Sequence, residues 1–404
     1  MALNESISIT KMKTSQKQVD VLVVGGGMVG AAAALGLART GLSVALLEAH
    51  TPEAFDAQSP PDLRVSAISC TSVELLQQLD AWPLVQQMRS APYRRLETWE
   101  WDASRVVFDA ASLGLPELGF MVENRILQLA LWQQLAQCEN LQLYCPAMLQ
   151  SMQRIDDTWQ VTLNSSQTIQ ARLLVGADGA DSPVRKLAGI GINGWHYRQS
   201  CMLISVETGA PQQDVTWQQF FPSGPRAFLP LYDHWASLAW YDSPERIRQL
   251  QGLPLAALER EIAAAFPSRL GAVKVHGVGA FPLVRRHAQR YVKPGLALLG
   301  DAAHTINPLA GQGVNLGYRD VGALLAVVAD AVAQGEDWAS EAVLMRYQRR
   351  RRRDNLMMQN GMDLFYSTFS NDLPPLRVAR NLALMAAQQA GKLKEQALKY
   401  ALGL

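Results

Sequence analysis

The stretch VDVLVVGGGMVGAAAALGLARTGLSVALLE, residues 19–48, decides the fold. Its β-branched beginning, 19–24, is typical of a buried strand, and the glycines at 25–27 favour a tight turn. An alanine-rich helix is expected over 28–40 and a second strand over 43–48. The stretch therefore predicts one βαβ unit of an α/β protein.

Three glycines of this unit, Gly25, Gly27 and Gly30, have the spacing GxGxxG between strand and helix. The first glycine allows the turn, the second lets backbone approach a pyrophosphate, and the third lets the helix pack on the strand. Glu48 ends the second strand, where a carboxylate accepts hydrogen bonds from ribose hydroxyls and repels a 2′-phosphate. These residues predict that the unit binds FAD or NAD and not NADP.

The composition excludes several classes of protein. The chain has 404 residues, 49% hydrophobic and 18% charged, as in globular proteins of two or three domains. Its 37 Lys and Arg against 36 Asp and Glu give no electrostatic footprint for binding nucleic acid. The four cysteines lack metal-ligand spacing, so we expect no metal site and a reducing compartment. Because glycines interrupt the uncharged stretch at 21–38, we expect a strand and a helix there, not a signal peptide or membrane span.

Two further glycine clusters follow apolar strands. They are GADGADSPVR at 176–185, with a DG motif, and GDAAHTINPLAGQGVN at 300–315, with a GD motif. Neither repeats GxGxxG, so no second ordinary nucleotide-binding unit is expected. Between them, alternating aromatic residues over 200–242 predict an antiparallel sheet.

The order of the GxGxxG, DG and GD motifs resembles that of the aromatic-ring flavin monooxygenases of the para-hydroxybenzoate hydroxylase type. Within that superfamily, DLRVSAIS at 62–69 and GDAAHTINPLAGQGVNLGYRD at 300–320 are similar to the ubiquinone-biosynthesis flavin hydroxylases. PYRRLETWEW at 92–101, SCMLISV at 200–206 and the ending LKYALGL look closest to the bacterial branch that acts on 3-demethoxyubiquinol. The resemblance covers the entire chain.

This resemblance implies an α/β fold with three parts. They are a Rossmann-like FAD-binding domain of the GR2 type, an inserted antiparallel-sheet substrate domain and a C-terminal helical region. The FAD-binding domain is expected over 17–185 and 275–345, with an excursion into the substrate domain near 90–115. The substrate domain is expected over 186–274 and the helical region over 346–404.

The resemblance also implies a set of site residues. In the family, a proline carbonyl borders the substrate hydroxyl. The glycine-containing residues that follow precede a helix, so their N–H groups and the positive helix end are expected to face the flavin pyrimidine ring. The corresponding catalytic positions are Pro308, Gly311, Gln312 and Gly313. The cofactor-binding positions are Gly25, Gly27, Gly30, Glu48, Arg64, Asn124, Asp178, Gly300, Asp301, Gly313 and Asn315.

Several of these residues have a second interpretation. Asp301 holds the ribityl hydroxyls of a flavin at the edge of a parallel strand, or it caps the next helix. Arg64 lies near the flavin or forms a surface salt bridge, and Asp178 contacts the nucleotide or forms a turn. His304 either transfers a proton or is a structural hydrogen-bond partner.

The function that the resemblance implies is FAD-dependent hydroxylation of 2-polyprenyl-3-methyl-6-methoxy-1,4-benzoquinol in ubiquinone biosynthesis. O2 is the cosubstrate and NAD(P)H the expected electron donor. Reduced flavin and oxygen give a C4a-hydroperoxide that attacks an electron-rich ring, while the protein orients the ring and excludes water. Two other functions stay open: an FAD-dependent lipid or quinone reductase without oxygen insertion, and a non-catalytic flavoprotein scaffold subunit of a lipid-biosynthesis complex.

Further partners are predicted from two regions. The arginine run 349–353 and the basic, apolar stretch 376–404 predict either peripheral contact with the inner face of the plasma membrane or a surface for other ubiquinone-biosynthesis proteins. The expected location is cytoplasmic.

In the aromatic sheet over 200–242, two or three side chains are expected to face ligand and the others to form core. The candidates are Trp217, Phe220, Phe221, Phe228, Tyr232, Trp235, Trp240 and Tyr241.

Overall fold

The computed structural model describes residues 16–306 and 313–402. Its strands are β1 (Gln16–Val24), β2 (Val44–Leu47), β3 (Val65–Ser69), β4 (Ala91–Tyr93), β5 (Arg95–Trp99), β6 (Val106–Asp109), β7 (Gly119–Glu123), β8 (Leu141–Tyr144), β9 (Leu149–Ile155), β10 (Thr158–Leu163), β11 (Thr168–Gly176), β12 (Ile192–Thr208), β13 (Val215–Gln219), β14 (Arg226–Pro230), β15 (Trp235–Asp242), β16 (Val273–Ala288), β17 (Val292–Lys293), β18 (Leu296–Leu298) and β19 (His304–Thr305). Its α-helices are α1 (Met28–Arg39), α2 (Cys70–Gln78), α3 (Trp82–Met88), α4 (Asn124–Leu135), α5 (Pro183–Leu187), α6 (Pro244–Gln251), α7 (Leu255–Ala265), α8 (Gly313–Ala333), α9 (Glu341–Phe369), α10 (Pro374–Gln388) and α11 (Lys392–Leu402).

The first sheet brings the three glycine motifs together. Its strands lie in the order β17-β18-β11-β1-β2-β8, and the five from β18 to β8 are parallel. Val24, Gly176 and Leu298 are register partners across β1, β11 and β18. The predicted βαβ unit is confirmed, and the motifs that follow these strands meet at the carboxyl edge of the sheet, where open α/β sheets bind ligands.

Small residues let α1 lie close to its neighbours. The four alanines Ala31 to Ala34 are fully buried, and a Cβ on Gly36 would lie 2.4 Å from the Leu325 side chain of α8. Helix α8 therefore packs directly against α1. This packing places the beginning of α8 beside the glycine loop of β1.

The second sheet has the order β19-β16-β12-β15-β14-β13-β5-β6. Strands β12 and β16 form a long antiparallel pair, and β15 lies on the other side of β12. The antiparallel sheet predicted over 200–242 is confirmed. Strands β5 and β6 join its far edge through a parallel pair between β5 and β13. A third, small sheet has the order β3-β7-β4.

Some predicted boundaries differ from the structure. Helix α4 begins only at Asn124, because the preceding residues form β7 and pair with β3 and β4. Pro374 begins α10, since proline is tolerated in the first turn of a helix. Strand β16 crosses the predicted boundary at 274/275, and α9 crosses the one at 345/346. The domain division stays a prediction.

Among the described residues, no helix combines the length and the apolar character needed to cross a bilayer.

Candidate functional site

A cavity of about 500 Å³ lies at the carboxyl edge of the first sheet, within the size range of cofactor and ligand sites. Part of its lining comes from the three glycine motifs, including Gly27, Gly179 and Gly300, and we call this part the polar end. Another part comes from apolar side chains, including Leu203 of β12 and Phe281 of β16, and we call this part the apolar end. The cavity therefore combines a polar lining beside a helix N-terminus with an apolar lining from two strands of the second sheet.

The glycine loop before α1 fits a pyrophosphate. Gly25 has a φ of +101°, and a Cβ there would lie 2.3 Å from the Ala177 carbonyl oxygen. A Cβ on Gly30 would lie 1.8 Å from the Gly25 carbonyl oxygen, whereas one on Gly27 would meet no described atom within 4 Å. Gly27 lines the cavity at the N-terminus of α1, where no described side chain caps the helix. The free N–H groups and the open space beside Gly27 suit an anionic part of a cofactor.

The Glu48 carboxylate holds the same loop. It accepts hydrogen bonds from Gly26 N at 2.6 Å and from His50 N at 2.9 Å. Two α4 side chains that the sequence pattern did not reveal, Gln128 and Trp132, each donate to the Gly26 carbonyl at 2.8 Å. They were missed because they lie more than 100 residues after the loop. The amide N–H of Gly26 is thus held by Glu48, and its carbonyl is held by α4. The Glu48 carboxylate keeps lone pairs that can accept from ribose hydroxyls.

Asp301 faces the cavity close to two arginines. It follows β18 in a short 3-10 turn, at the edge of the parallel strand as expected. Desolvation raises the pKa of its carboxyl above the ordinary value, while His304, Arg64 and Arg286 act in the opposite direction. Helix α8 begins only at Gly313, so Asp301 does not cap it. Arg64 and Arg286 also line the cavity, and Arg286 was not predicted.

Asn124 and Asp178 are held by different local contacts. Asn124 is the first residue of α4, lines the cavity and accepts a hydrogen bond from Ser66 Oγ at 2.7 Å. Asp178 accepts hydrogen bonds from Ser182 Oγ and from Val184 N, the latter at 2.9 Å. Desolvation raises the pKa of the Asp178 carboxyl. These contacts favour the turn-forming interpretation of Asp178, and its nucleotide contact stays a prediction.

Asn315 is fully buried and connects α8 to the residues around β3. Its Oδ1 accepts hydrogen bonds from Ser69 N at 3.0 Å and Ser72 Oγ at 2.8 Å. Its Nδ2 donates to the Ala67 carbonyl at 2.7 Å. The side chain therefore fixes the first turn of α8, and its contact with the flavin stays a prediction.

A buried ionic network lies behind Gly300. Asp320 Oδ2 accepts a hydrogen bond from Gly300 N at 3.1 Å and shares another with His304 Nε2. Asp320 Oδ1 accepts from Arg351 Nε at 2.8 Å and from Asn355 Nδ2 at 3.1 Å. We call Asp320, His304, Arg351 and Asn355 the cofactor-side cluster. It connects the GD loop to both α8 and α9.

The neighbours of Asp320 stabilise its charge. Desolvation opposes ionisation of Asp320, but His304 and Arg351 outweigh it and lower its pKa to about 2. His304 is 2% exposed and does not line the cavity, which favours its structural interpretation. The prediction that the arginine run 349–353 lies on an outer surface is wrong for Arg351, because its side chain is buried against Asp320.

Part of the predicted catalytic loop lies outside the described residues. Pro308, Gly311 and Gln312 belong to this part. Gly313 begins α8 and lines the cavity, and a Cβ there would meet no described atom within 4 Å. The catalytic roles of the four positions stay predictions.

The aromatic residues of the second sheet form core. Trp217 and Phe228 stack with 5.2 Å between ring centroids, in one buried cluster with Trp240. None of the eight predicted candidates lines the cavity, so the expectation that two or three face it is wrong. The reason is strand order, since β13, β14 and β15 lie beyond β12, and β12 and β16 supply the apolar wall.

Comparisons with known proteins agree with this arrangement. A family model described as FAD binding domain matches residues 18–359. The chain is 60% identical to 3-demethoxyubiquinol 3-hydroxylase of Escherichia coli (strain K12), over 96% of this chain and 100% of that protein. It is 36% identical to ubiquinone hydroxylase UbiL of Rhodospirillum rubrum, over 96% and 91% of the two chains. The solved structure of p-nitrophenol 4-monooxygenase PnpA from Pseudomonas putida DLL-E4 has the same fold, with a TM-score of 0.78, 18% identity and coverage of 96% and 98%. The chain therefore belongs to the FAD-dependent monooxygenase family that contains the ubiquinone-biosynthesis hydroxylases.

Proposed function

We propose that this chain hydroxylates 2-polyprenyl-3-methyl-6-methoxy-1,4-benzoquinol at its unsubstituted ring carbon, with O2 as cosubstrate and NAD(P)H as electron donor. The observation that carries the proposal is the 60% identity, over 96% of this chain, to a relative named 3-demethoxyubiquinol 3-hydroxylase. The cavity supports it, since a polar end for a dinucleotide is continuous with an apolar end for a ring.

At the polar end, the chain binds and orients the cofactor. The N–H groups of α1 beside Gly27 face the pyrophosphate, and Glu48 accepts from the ribose hydroxyls. Asp301 holds the ribityl hydroxyls, and Arg64 and Asn124 lie beside the flavin. Bound FAD, once reduced, supplies the activation of O2.

At the apolar end, the chain receives the substrate ring and excludes water. Leu203, Phe281, Leu283 and Ile306 line this end and carry no group that competes for the ring hydroxyls. By resemblance to the family, we place the Pro308 carbonyl at the substrate hydroxyl. The N–H groups of Gly311, Gln312 and Gly313 are placed at the flavin pyrimidine ring on the same ground.

The test is an absorption spectrum of the purified protein, followed by mass analysis of products. The reaction contains the prenylated methoxy-methyl-benzoquinol, NAD(P)H and labelled O2. We expect flavin bands and one labelled oxygen atom in the product, at the unsubstituted carbon. Flavin reduction by NAD(P)H without oxygen incorporation would favour the reductase instead. Bound flavin that neither reduces nor reoxidises with the ring present would favour the scaffold.

A pair of variants tests the pyrophosphate position. At both Gly27 and Gly322, a Cβ meets no described atom within 4 Å, but only Gly27 lines the cavity. We expect Gly27→Val to raise the FAD dissociation constant more than tenfold and Gly322→Val to leave it within about twofold. Equal affinities measured by fluorescence titration would contradict the assignment of Gly27. Asp301→Ala is expected to lose FAD as well, because it removes the ribityl contact.

Partners and location are part of the same proposal. We place the protein in the cytoplasm, with other ubiquinone-biosynthesis proteins as partners. Co-purification of tagged chain from cells tests these partners.

A further inference from the structure

Helix α10 is amphipathic, but its polar face points into the protein. Arg380 and Asn381 are buried on the inner side of the helix. Val378, Leu382 and Met385, spaced i, i+4 and i+7, are between 42% and 58% exposed. Surface helices of globular proteins normally bury the apolar face and expose the polar one. The three residues define what we call the outer face of α10.

A buried carboxylate fixes this orientation. Arg380 binds Glu100 with two hydrogen bonds, at 2.8 Å and 2.6 Å. Asn381 Nδ2 donates to Glu100 at 2.6 Å, and Arg377 Nε donates to it at 3.2 Å. We call Glu100, Arg377, Arg380 and Asn381 the C-terminal cluster. Turning the helix to bury its apolar face would leave Glu100 buried without a partner, which is strongly unfavourable.

The outer face of α10 carries no charge. The charged residues of the helix are Arg377 and Arg380, and both pair with Glu100. Ten of the nineteen exposed large hydrophobic side chains among the described residues lie between residues 357 and 400. Such a concentration of exposed apolar surface marks an interaction site.

The C-terminal region that carries this surface has an excess of positive charge, which favours an anionic occupant. Residues 346–404 contain eleven Lys and Arg against four Asp and Glu, whereas the whole chain has a net charge of +1. Three carboxylates outside this region, Glu100, Asp320 and Glu336, pair with its arginines, and an excess of positive charge remains. Lys392 and Lys399 of α11 are exposed. A second copy of the chain would bring like charges together, so it suits this surface less than anionic lipid does.

We propose that the outer face of α10 docks the enzyme on an anionic phospholipid bilayer. The apolar side chains enter the interface and the exposed lysines of α11 meet the headgroups, as in helices that lie in the plane of a membrane. The docking rests on the proposed function in one respect. It assumes that the substrate carries a polyprenyl tail and is taken from the same bilayer.

The test is flotation of the purified holoenzyme with vesicles. Vesicles of phosphatidylethanolamine and phosphatidylglycerol are compared with vesicles of phosphatidylcholine alone. We expect binding to the anionic vesicles, weaker binding in high salt, and at least tenfold weaker binding for the Leu382→Glu/Met385→Glu variant. The control is Leu255→Glu on α7, where the side chain is 47% exposed, and we expect it to bind like the parent protein. An unchanged flavin spectrum shows that each variant is folded.

Three results would overturn the proposal. Equal binding of the parent and the double variant would exclude the outer face as the contact. A dimer that the double variant converts to monomer in sedimentation equilibrium, without vesicle binding, would assign the face to a second copy. A monomer without vesicle binding would assign it to a protein partner.

Activity measurements separate this proposal from the proposed function. With a short-tailed benzoquinol in solution, the double variant is expected to turn over like the parent protein. With a long-tailed benzoquinol in anionic vesicles, we expect its rate to fall at least tenfold. If the parent hydroxylates neither substrate, the proposed function fails, whereas the flotation result still decides the docking.

Discussion

Helices α9 and α10 each bring one buried arginine to one buried carboxylate. Arg351 meets Asp320 in the cofactor-side cluster, and Arg380 meets Glu100 in the C-terminal cluster. In both places an amide, Asn355 or Asn381, donates to the same carboxylate. Removing charge from water is costly, so each carboxylate depends on these partners.

The two clusters differ in what they hold. Asp320 also receives the N–H of Gly300, which lines the cavity, whereas none of the four residues of the C-terminal cluster lines it. A buried arginine–carboxylate pair therefore fixes the GD loop in the cofactor-side cluster. The same kind of pair fixes the direction of the outer face of α10 in the C-terminal cluster. The backbone attached to a buried ion pair therefore decides the role of that pair.

Asp320→Ala is expected to give the largest effect. It removes the acceptor of the Gly300 N–H and one of the two carboxylates that pair with Arg351, the other being Asp354, so we expect unfolding to be easier by about 3 kcal/mol. We expect FAD to be lost as well, because the GD loop is released. Urea unfolding and flavin fluorescence measure the two effects. Asp320→Asn, which keeps one oxygen for Gly300, is the milder control, and FAD affinity unchanged in both variants would contradict the role of the cluster.

Glu100→Ala is expected to have a smaller and local effect. Arg377 is partly exposed, so water relieves part of the lost pairing, and we expect a cost of about 2–3 kcal/mol. Desolvation opposes ionisation of Glu100, but Arg380, Asn381 and Arg377 outweigh it and lower its pKa. Hydrogen exchange should show lost protection across α10, with the FAD dissociation constant within about twofold of the parent value. Loss of FAD would show that the two clusters are coupled.

The sequence predicted the features whose determinants lie close together along the chain. The βαβ unit and the positions of Gly25, Gly27 and Gly30 lie within the 30 residues from 19 to 48, and local rules apply there. Arg351 was placed on a surface because its partner Asp320, 31 residues away, gave no signal in an arginine run. The basic and apolar composition of 376–404 was visible, but the direction in which α10 faces depends on Glu100, which lies 280 residues from Arg380. The residues that are hardest to predict are those whose partners are brought near only by the fold.

Acid is expected to weaken the cofactor side before the C-terminal cluster. Buried His287 lies beside Tyr291, which contacts Asn355, and desolvation lowers the pKa of His287 from 6.5 to about 4. The unfolded chain takes up this proton first, so stability falls as pH drops from about 6.5 to about 4, by about 2–3 kcal/mol. Asp320, whose pKa is about 2, adds a further loss between about pH 4 and pH 2.

Urea unfolding at a series of pH values measures this loss. His287→Asn keeps a donor for Gln359 at the position of Nδ1 and cannot titrate, so we expect a flatter profile between pH 6.5 and 4. The C-terminal cluster contains no histidine, and the pKa of Glu100 is lowered from 4.5, so the protection factors of α10, which correct for the intrinsic pH dependence of amide exchange, should stay constant from pH 6.5 to about 4.5. The same slope in the parent and in His287→Asn would assign the acid effect to other groups.

Gln128→Met is expected to give the smallest effect, because it removes one neutral hydrogen bond from the glycine loop. The Gly26 carbonyl keeps its bond from Trp132, so the loss in stability should be about 1 kcal/mol, with FAD binding weakened a few-fold. Gln134→Met is the matched control, since Gln134 lies on the same helix and also donates to a backbone carbonyl, that of Asp80, at an exposed site. We expect the control to leave FAD affinity unchanged. If both variants bind FAD equally well, the α4 side chains do not hold the loop, and the charged cluster behind Gly300 is then the main support of the cofactor site.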